Sequence, residues 1–218
     1  MLPSLFAFLE SYLRVRFPES DLARTSCPIT HRVHVRFELG APFENGTEDR
    51  IRQVGERALA IVRDCFSPRD EVFVLITDWG PEDAMSGNPT RRHLYELIGE
   101  SRLTLSQHRL VLKRDGDEPD ESPQQLTQWL VPATFESLPH EEILVGIANH
   151  EQGRTPSIGQ DVFIICPQSD IVFHMYDDRG CIVFSDAPSK LSHLYVKYNA
   201  WLVDYWRESI DSVFRDTR

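Results

Sequence analysis

The stretch from residue 161 to about residue 214 constrains the fold more than any other part of this chain. It begins with three apolar runs separated by two short polar turns: DVFIICP (161–167), IVFHMY (171–176) and CIVFS (181–185), with turns at 168–170 and 177–180. β-Branched and aromatic residues favour strands, and polar turns of this length join neighbouring antiparallel strands. The pattern therefore predicts a three-stranded meander.

A long helix is predicted to follow the meander, starting near Ser185 or Asp186 and ending near Phe214. Pro188 falls in its first turn, where proline is favoured. Apolar residues then recur at helical spacing, at Leu191, Tyr195, Tyr198 and Leu202. The helix is expected to lie across one face of the sheet.

The rest of the chain alternates between predicted helices and strands. It comprises an N-terminal amphipathic helix with a polar connector (1–30), strands at 32–39, 71–79, 109–114 and 128–131, and helices at 47–65, 91–99 and 140–149. Strands with helices between them and hairpins at the end predict the α+β class. We expect one domain over 1–218, in which a mixed or antiparallel sheet packs its C-terminal meander against the long C-terminal helix and the other helices.

The charge of the chain narrows the classes of partner. Asp and Glu number 34 against 23 Lys and Arg, which leaves a formal net charge of −11. This balance argues against nucleic-acid binding, because such binding depends on Lys and Arg neutralising phosphates. It fits a soluble protein, and it also fits a protein with a basic partner.

The cysteines and the chain start predict a cytoplasmic protein. Cys65, Cys166 and Cys181 lie within apolar patterns, and neither they nor Cys27 form a CxxC pair or a zinc-ligand cluster. Buried free thiols are therefore expected, as in a reducing cytoplasm. The first 17 residues fit an amphipathic helix better than a signal peptide, and no segment is long enough to span a membrane.

Two C-terminal motifs resemble a bacterial domain family of unknown function. They are YDDRGC (176–181) and LYVKYNAWLVDYWRESID (194–211), and the family carries a YDDRG turn before a helix reading LYxKYNxWxxDYxRxxID. RFELG (36–40) and IANHEQGRTPSIGQDVF (147–163) are similar to the same family. The sequence departs from the pattern at Cys181 and Ile182, where a second acidic residue is expected. The resemblance implies a fold but no established activity.

The turn containing Asp177, Asp178, Arg179 and Gly180 is the sharpest polar signal, and it has two interpretations. The carboxylate pair could hold a metal or act in acid–base chemistry. Alternatively, the turn is structural: Asp accepts from backbone amides, Gly180 takes a positive φ, and Arg179 pairs with an acid of the C-terminal helix. The second interpretation is favoured, because no third ligand lies at a telling spacing.

Further charged residues are predicted to form a structural polar network with this turn. Asp204, Arg207 and Asp211 recur at helical intervals, so they could form an ion-pair ladder; Asp204 or Asp211 is also the candidate partner of Arg179. Arg36 lies opposite the buried face of its strand. A buried pair between Arg36 and a carboxylate is the hypothesis there, and its loss is expected to cost about 3 kcal/mol.

Candidate partner-binding residues lie in the middle of the chain. The densest acidic run contains Asp115, Asp117, Glu118, Asp120 and Glu121. It is either a solvated loop or an acidic contact for a basic groove. Trp79 and Trp129 stand near loop edges, where they could anchor an interface or belong to the core.

No catalytic, metal or cofactor motif stands out in the sequence. GxSxG, P-loop, GxGxxG and HExxH patterns are absent. We therefore expect a non-catalytic acidic binding protein, an immunity protein of a polymorphic toxin system that occludes the active site of a basic toxin domain acting on nucleic acid or nucleotides. The alternative is an enzyme of unrecognised type, with Asp177, Asp178 and Arg179 around a pocket. A structural role in a larger assembly is a third candidate.

Overall fold

A computed structural model of the chain describes residues 4–24, 27–78, 90–99, 107–111 and 125–215. Within these residues, seven strands form one sheet in the order β1-β7-β6-β5-β2-β4-β3, and every neighbouring pair is antiparallel. The strands are β1 His34–Glu38, β2 Glu71–Asp78, β3 Gln107–Val111, β4 Gln125–Thr134, β5 Asp161–Cys166, β6 Ile171–Asp177 and β7 Gly180–Ser185. The predicted α+β class and the meander β5–β6–β7 are confirmed.

Helices cover both faces of the sheet. They are α1 Leu5–Arg16, α2 Glu48–Cys65, α3 Thr90–Ile98, α4 His140–Glu151, α5 Pro188–Lys197 and α6 Arg207–Arg215. The larger core joins one face of the sheet to α2–α6. The smaller core joins the other face to α1 and the connector after it, through Leu9, Phe17 and Ile29. The described structure therefore has three layers, with α1 opposite the other helices.

Local sequence signals account for several of these elements. Thr47 caps α2 by accepting a hydrogen bond from the Arg50 amide, and acidic residues occupy the first turn of that helix. Gly99 ends α3 at a φ of +89°, where a glycine is favoured. In β1 the side chains alternate between buried and half-buried, as predicted from the alternation of apolar and polar residues.

The prediction of one long C-terminal helix was wrong. After α5 the chain passes through two short 3₁₀ turns, Asn199–Trp201 and Asp204–Trp206, before α6 begins. Between these turns it is extended: Leu202 forms an antiparallel bridge with Phe37, and the Val203 amide donates to the Arg36 carbonyl at 3.0 Å. The helix breaks because this segment satisfies the outer edge of β1. Leu202 is buried as predicted, but as an extended residue.

Candidate functional site

The predicted Asp177–Arg179 turn closes on itself. Asp177 is buried, and its carboxylate accepts hydrogen bonds from the Arg179 amide and from Arg179 Nε, both at 2.7 Å. Arg179 therefore pairs with Asp177, and the prediction that Asp204 or Asp211 would be its partner was wrong. The hydrogen bonds that Arg179 donates to the Asp177 carboxylate raise the pKa of its guanidinium.

Gly180 does not take the left-handed conformation, so the predicted positive φ was wrong. Glycine is required here because a side chain would not fit. A Cβ at this position would overlap the Tyr176 hydroxyl and would lie 2.5 Å from the Phe37 carbonyl oxygen. The bulge in β6 and the approach of β1 leave no room for a side chain here. The glycine therefore lets three strands meet at the turn.

Asp178 points inward, where its charge is neutralised by Arg50. Both side chains are buried, and Arg50 Nε donates directly to the Asp178 carboxylate. Gln152 Nε2 donates to the same carboxylate at 2.9 Å, and Arg50 Nη1 donates to the Phe43 carbonyl at 2.8 Å. The turn is thereby tied to α2, to α4 and to the loop at 39–47, and a carboxylate held in this way is not available as a base.

Sequence reasoning missed Arg50, although the sequence contains a signal for it. Arg50 occupies the first turn of α2, where the helix dipole disfavours a cation. It also stands on the buried stripe of that helix, four residues before Val54 and eight before Ala58. A cation at a buried helical position requires a partner acid, but the sequence does not say that this acid is Asp178.

The loop at 39–47 is fixed by side chains of α2. Gln53 Nε2 donates to the Leu39 and Ala41 carbonyls at 2.8 Å each, and Arg57 Nη1 donates to the Ala41 carbonyl at 3.1 Å. Gly40 lies against the Arg50 guanidinium, which a Cβ would overlap. Because the polar groups of this region bind one another, its geometry favours the structural interpretation of the turn.

The predicted ladder on the C-terminal helix forms only in part. Arg207 Nε lies 3.7 Å from an Asp204 carboxylate whose side chain is 99% exposed. The Arg207 guanidinium donates instead to the Asn199 carbonyl at 2.8 Å, while Asp211 accepts from the Tyr195 hydroxyl at 2.8 Å. The predicted ladder is incomplete because Asp204 lies in the exposed 3₁₀ turn before α6, whereas Asp211 lies within α6 and binds Tyr195 of α5.

Arg36 has an aromatic environment in place of the predicted acid. Its Nε donates to the Tyr176 hydroxyl at 3.1 Å, and its Cζ lies 4.7 Å from the centre of the Tyr176 ring and 5.8 Å from a ring of Trp206. No described carboxylate lies within 4.0 Å of it, so the hypothesis of a buried Arg36–carboxylate pair was wrong for this part of the chain. Burial raises the pKa of Tyr176 to about 12, against the opposing effect of Arg36.

A surface patch next to Arg36 combines exposed aromatic rings with acids. We call it the aromatic–acidic patch and define it as Asp204, Tyr205, Trp206 and Glu208, all of which are exposed. The two rings pack edge to face with 5.5 Å between their centres, and Trp206 also contacts the His34 ring edge-on at 6.3 Å. The sequence patterns did not predict this patch: Asp204 was assigned to the ion-pair ladder, and the predicted long helix obscured which of its sides would face solvent.

The sequence-predicted binding residues fall elsewhere. Trp129 is half-buried and packs against Tyr95, with ring centres 5.2 Å apart, beside the larger core. This agrees with the core alternative that the sequence left open for it. Trp79 and the acidic run at 115–121 lie outside the described residues, so their role as partner contacts stays a prediction.

Within the described ranges, no group of three or more His, Cys, Asp or Glu side chains could hold a metal ion. None of the helices in this part of the chain combines the length and the apolar character needed to cross a bilayer. A surface groove of about 250 Å³ lies between α2 and α4, and its lining does not include the predicted site Asp177, Asp178 and Arg179.

The fold and this polar turn define an α+β protein built on an antiparallel sheet with helices on both faces. Residues 9–206 match the model of a family described as a domain of unknown function, DUF3885, and the chain belongs to that family. Over 70 residues it is 34% identical to the uncharacterized protein YnaE of Bacillus subtilis (strain 168). That match covers 29% of this chain and only 33% of the relative's length. No solved structure matches the chain.

Proposed function

We propose that this chain is a non-catalytic acidic binding protein, an immunity protein that neutralises a cognate bacterial toxin by covering its active site. The observation that carries the proposal is the aromatic–acidic patch. Tyr205 is 87% exposed and Trp206 37% exposed. Large aromatic side chains in water contribute little to folding, whereas the same rings dominate the binding energy when a partner buries them.

The charge around the rings indicates what kind of partner would fit. Asp204 and Glu208 flank them in the sequence and are exposed, on a chain of net charge −11. Acidic groups steer a basic surface toward the rings and accept its Lys and Arg, and cations also bind to exposed aromatic faces. Toxins that act on nucleic acid or nucleotides need basic clefts for phosphates, so such a cleft would complement the patch.

The patch is held in place before any partner arrives. The Leu202–Phe37 bridge and the hydrogen bond from the Val203 amide to the Arg36 carbonyl fix the chain directly before it. Arg207, which lies between Trp206 and Glu208, fixes the chain within the patch by donating to the Asn199 carbonyl. A preorganised patch loses less conformational entropy on binding than a flexible one, which favours affinity.

The predicted alternative, an enzyme at Asp177 and Asp178, has less support. Asp178 is buried against Arg50, and Asp177 holds Arg179. Both acids would need to leave these partners before they could act on a substrate. A binding role makes no such demand on the turn, which then serves only to hold β1, β6 and β7 in register with the helices.

An affinity pull-down from the native bacterium tests the proposal, with the neighbouring genes sequenced alongside. We expect a stoichiometric complex with a toxin domain, encoded next to this protein. The double variant Y205A/W206A should lose that complex. The control V15S, which changes an exposed apolar residue of α1 outside the aromatic–acidic patch, should retain it.

Two outcomes would contradict the proposal. In the first, no protein partner is captured and a metal or small molecule stays bound after purification, which would direct attention to Asp177 and Asp178. In the second, Y205A/W206A captures the toxin as well as the unchanged chain does, which would remove the patch from the interface.

A further inference from the structure

Arg36 differs from the other arginines that the described structure holds at least partly out of solvent. Arg50, Arg154 and Arg207 each lie within salt-bridge distance of a carboxylate. Arg57 donates to the backbone carbonyls of Glu38 and Ala41. The Arg36 side chain donates a single hydrogen bond within the described chain, from Nε to the Tyr176 hydroxyl, although five N–H groups are available on a guanidinium. Its two terminal nitrogens therefore remain available for a ligand.

The position of Arg36 gives these nitrogens a defined setting. Arg36 of β1 pairs with Ile182 of β7, and Ile182 pairs with His174 of β6. On the sheet face that also carries α1, the cross-strand neighbours of the guanidinium are therefore uncharged. His174 is buried, and its burial lowers its pKa to about 4, so it carries no charge at neutral pH. The Tyr176 and Trp206 rings contact the guanidinium. Glu38 shares this face of β1, but its carboxylate accepts from the Gly40 and Ala41 amides. The cation is thus fixed by aromatic contacts, with no described carboxylate within 4.0 Å of it.

A guanidinium in this setting favours one kind of ligand. Aromatic contacts hold its plane and reduce its hydration, while its two parallel N–H groups match the two oxygens of a carboxylate. Phosphate has similar oxygens, but a chain of net charge −11 disfavours a phosphate-rich polymer. A single carboxylate within an otherwise basic surface meets no such penalty.

We propose that Arg36, with Tyr176 and Trp206, forms a receptor for one Asp or Glu carboxylate of the protein partner. The identity of the occupant rests on the proposed function, whereas the capacity of the site to bind a carboxylate does not. Trp206 belongs both to this site and to the aromatic–acidic patch, so the carboxylate would enter at the edge of the same interface. A lone acid in a basic surface then fixes the orientation of the partner and rejects basic proteins that lack it.

Benzoate is the probe that tests the site without the partner. It carries one carboxylate, and its ring can stack on Trp206. The titration follows the Arg36 Nε–H and Trp206 indole N–H resonances of the full chain by NMR, with benzamide as the uncharged control and inorganic phosphate as the competing anion. We expect saturable shifts of both resonances with benzoate, none with benzamide, and weaker binding of phosphate.

Variants in and beside β1 test whether the benzoate-induced shifts arise from binding at Arg36. R36M should weaken benzoate binding about tenfold, the loss expected for a charge-assisted hydrogen-bonded pair. R32M removes an exposed arginine of the same alternating set, just before β1, and should bind benzoate like the unchanged chain. If R36M does not fold, R36K keeps the charge without the planar fork and should still bind benzoate more weakly.

Three results would overturn this inference: no saturable shift with benzoate, equal affinity in R36M or R36K, or phosphate binding at least as tight as benzoate binding. These results leave the proposed function standing, because the pull-down with Y205A/W206A tests it separately. Conversely, a benzoate site without any captured toxin would retain the receptor and remove its assignment to a toxin.

Discussion

The buried pair of Asp178 and Arg50 allows the sharpest test of how this fold is held together. Both side chains are less than a tenth exposed, and Gln152 adds a further hydrogen bond to the carboxylate at 2.9 Å. Removing one partner of such a pair leaves an uncompensated buried charge, which costs about 3–5 kcal/mol. We therefore expect D178N and R50M each to lower the free energy of unfolding by about that amount.

The magnitude is large compared with the stability of a typical domain, about 5–15 kcal/mol. Urea unfolding followed by tryptophan fluorescence would detect it as a midpoint lowered by roughly 1–2.5 M, given slopes of about 2–3 kcal/mol per M. The control is R52M in the same helix. The salt bridge between Arg52 and Asp49 is exposed, with side chains 65% and 56% accessible, so its loss should cost less than about 1 kcal/mol.

The double variant D178N/R50M completes the cycle. Because it removes both charges, it should be less destabilised than the sum of the two single variants. Single variants that unfold at the midpoint of the unchanged chain, or strictly additive effects, would refute the reasoning. The same measurement bears on the enzyme alternative, which predicts that D178N abolishes turnover without lowering stability.

Two further predictions concern the neighbouring glycine and the buried histidine. G180A should destabilise the protein by about 1–3 kcal/mol, because its Cβ would overlap the Tyr176 hydroxyl. At Gly55 a Cβ meets nothing closer than 3.9 Å, so G55A should stabilise α2 by up to about 1 kcal/mol. Chemical denaturation that ranked the two in the opposite order would contradict the geometry. Burial lowers the pKa of His174 to about 4. Between pH 6.5 and 4 the unfolded chain therefore binds a proton that the native state does not. The free energy of unfolding should then decrease as the pH falls, by about 3 kcal/mol in total. H174Q should remove that component, and an unchanged pH dependence in this variant would show that His174 does not cause it.

The buried acids of the turn and the exposed acids of the aromatic–acidic patch have different environments in this protein. Asp177 and Asp178 lie inward and hold strands, loop and helices together, whereas Asp204 and Glu208 lie outward beside the exposed rings. Acids of the first kind contribute to stability, whereas under the proposed function acids of the second kind attract the partner. Stability measurements on the turn and binding measurements on the patch should therefore give independent results.

The sequence by itself determined the features that depend on near neighbours in the chain. Alternation in 32–39 indicated β1 and its buried face, Thr47 indicated the start of α2, and the apolar runs between 161 and 185 indicated the meander. These predictions succeeded because side-chain periodicity and helix capping are local properties.

Only the tertiary structure decided which distant residues meet. It placed α1 on the face opposite the other helices, joined Asp178 to Arg50 across 128 positions, and broke the C-terminal helix so that Leu202 could pair with Phe37. The helical spacing of apolar residues at 191–202 is the same whether Leu202 is helical or extended, since burial alone does not fix the backbone. The free edge of β1 and the buried charge of Arg50 each required a partner, and that requirement is satisfied only when the whole chain is folded.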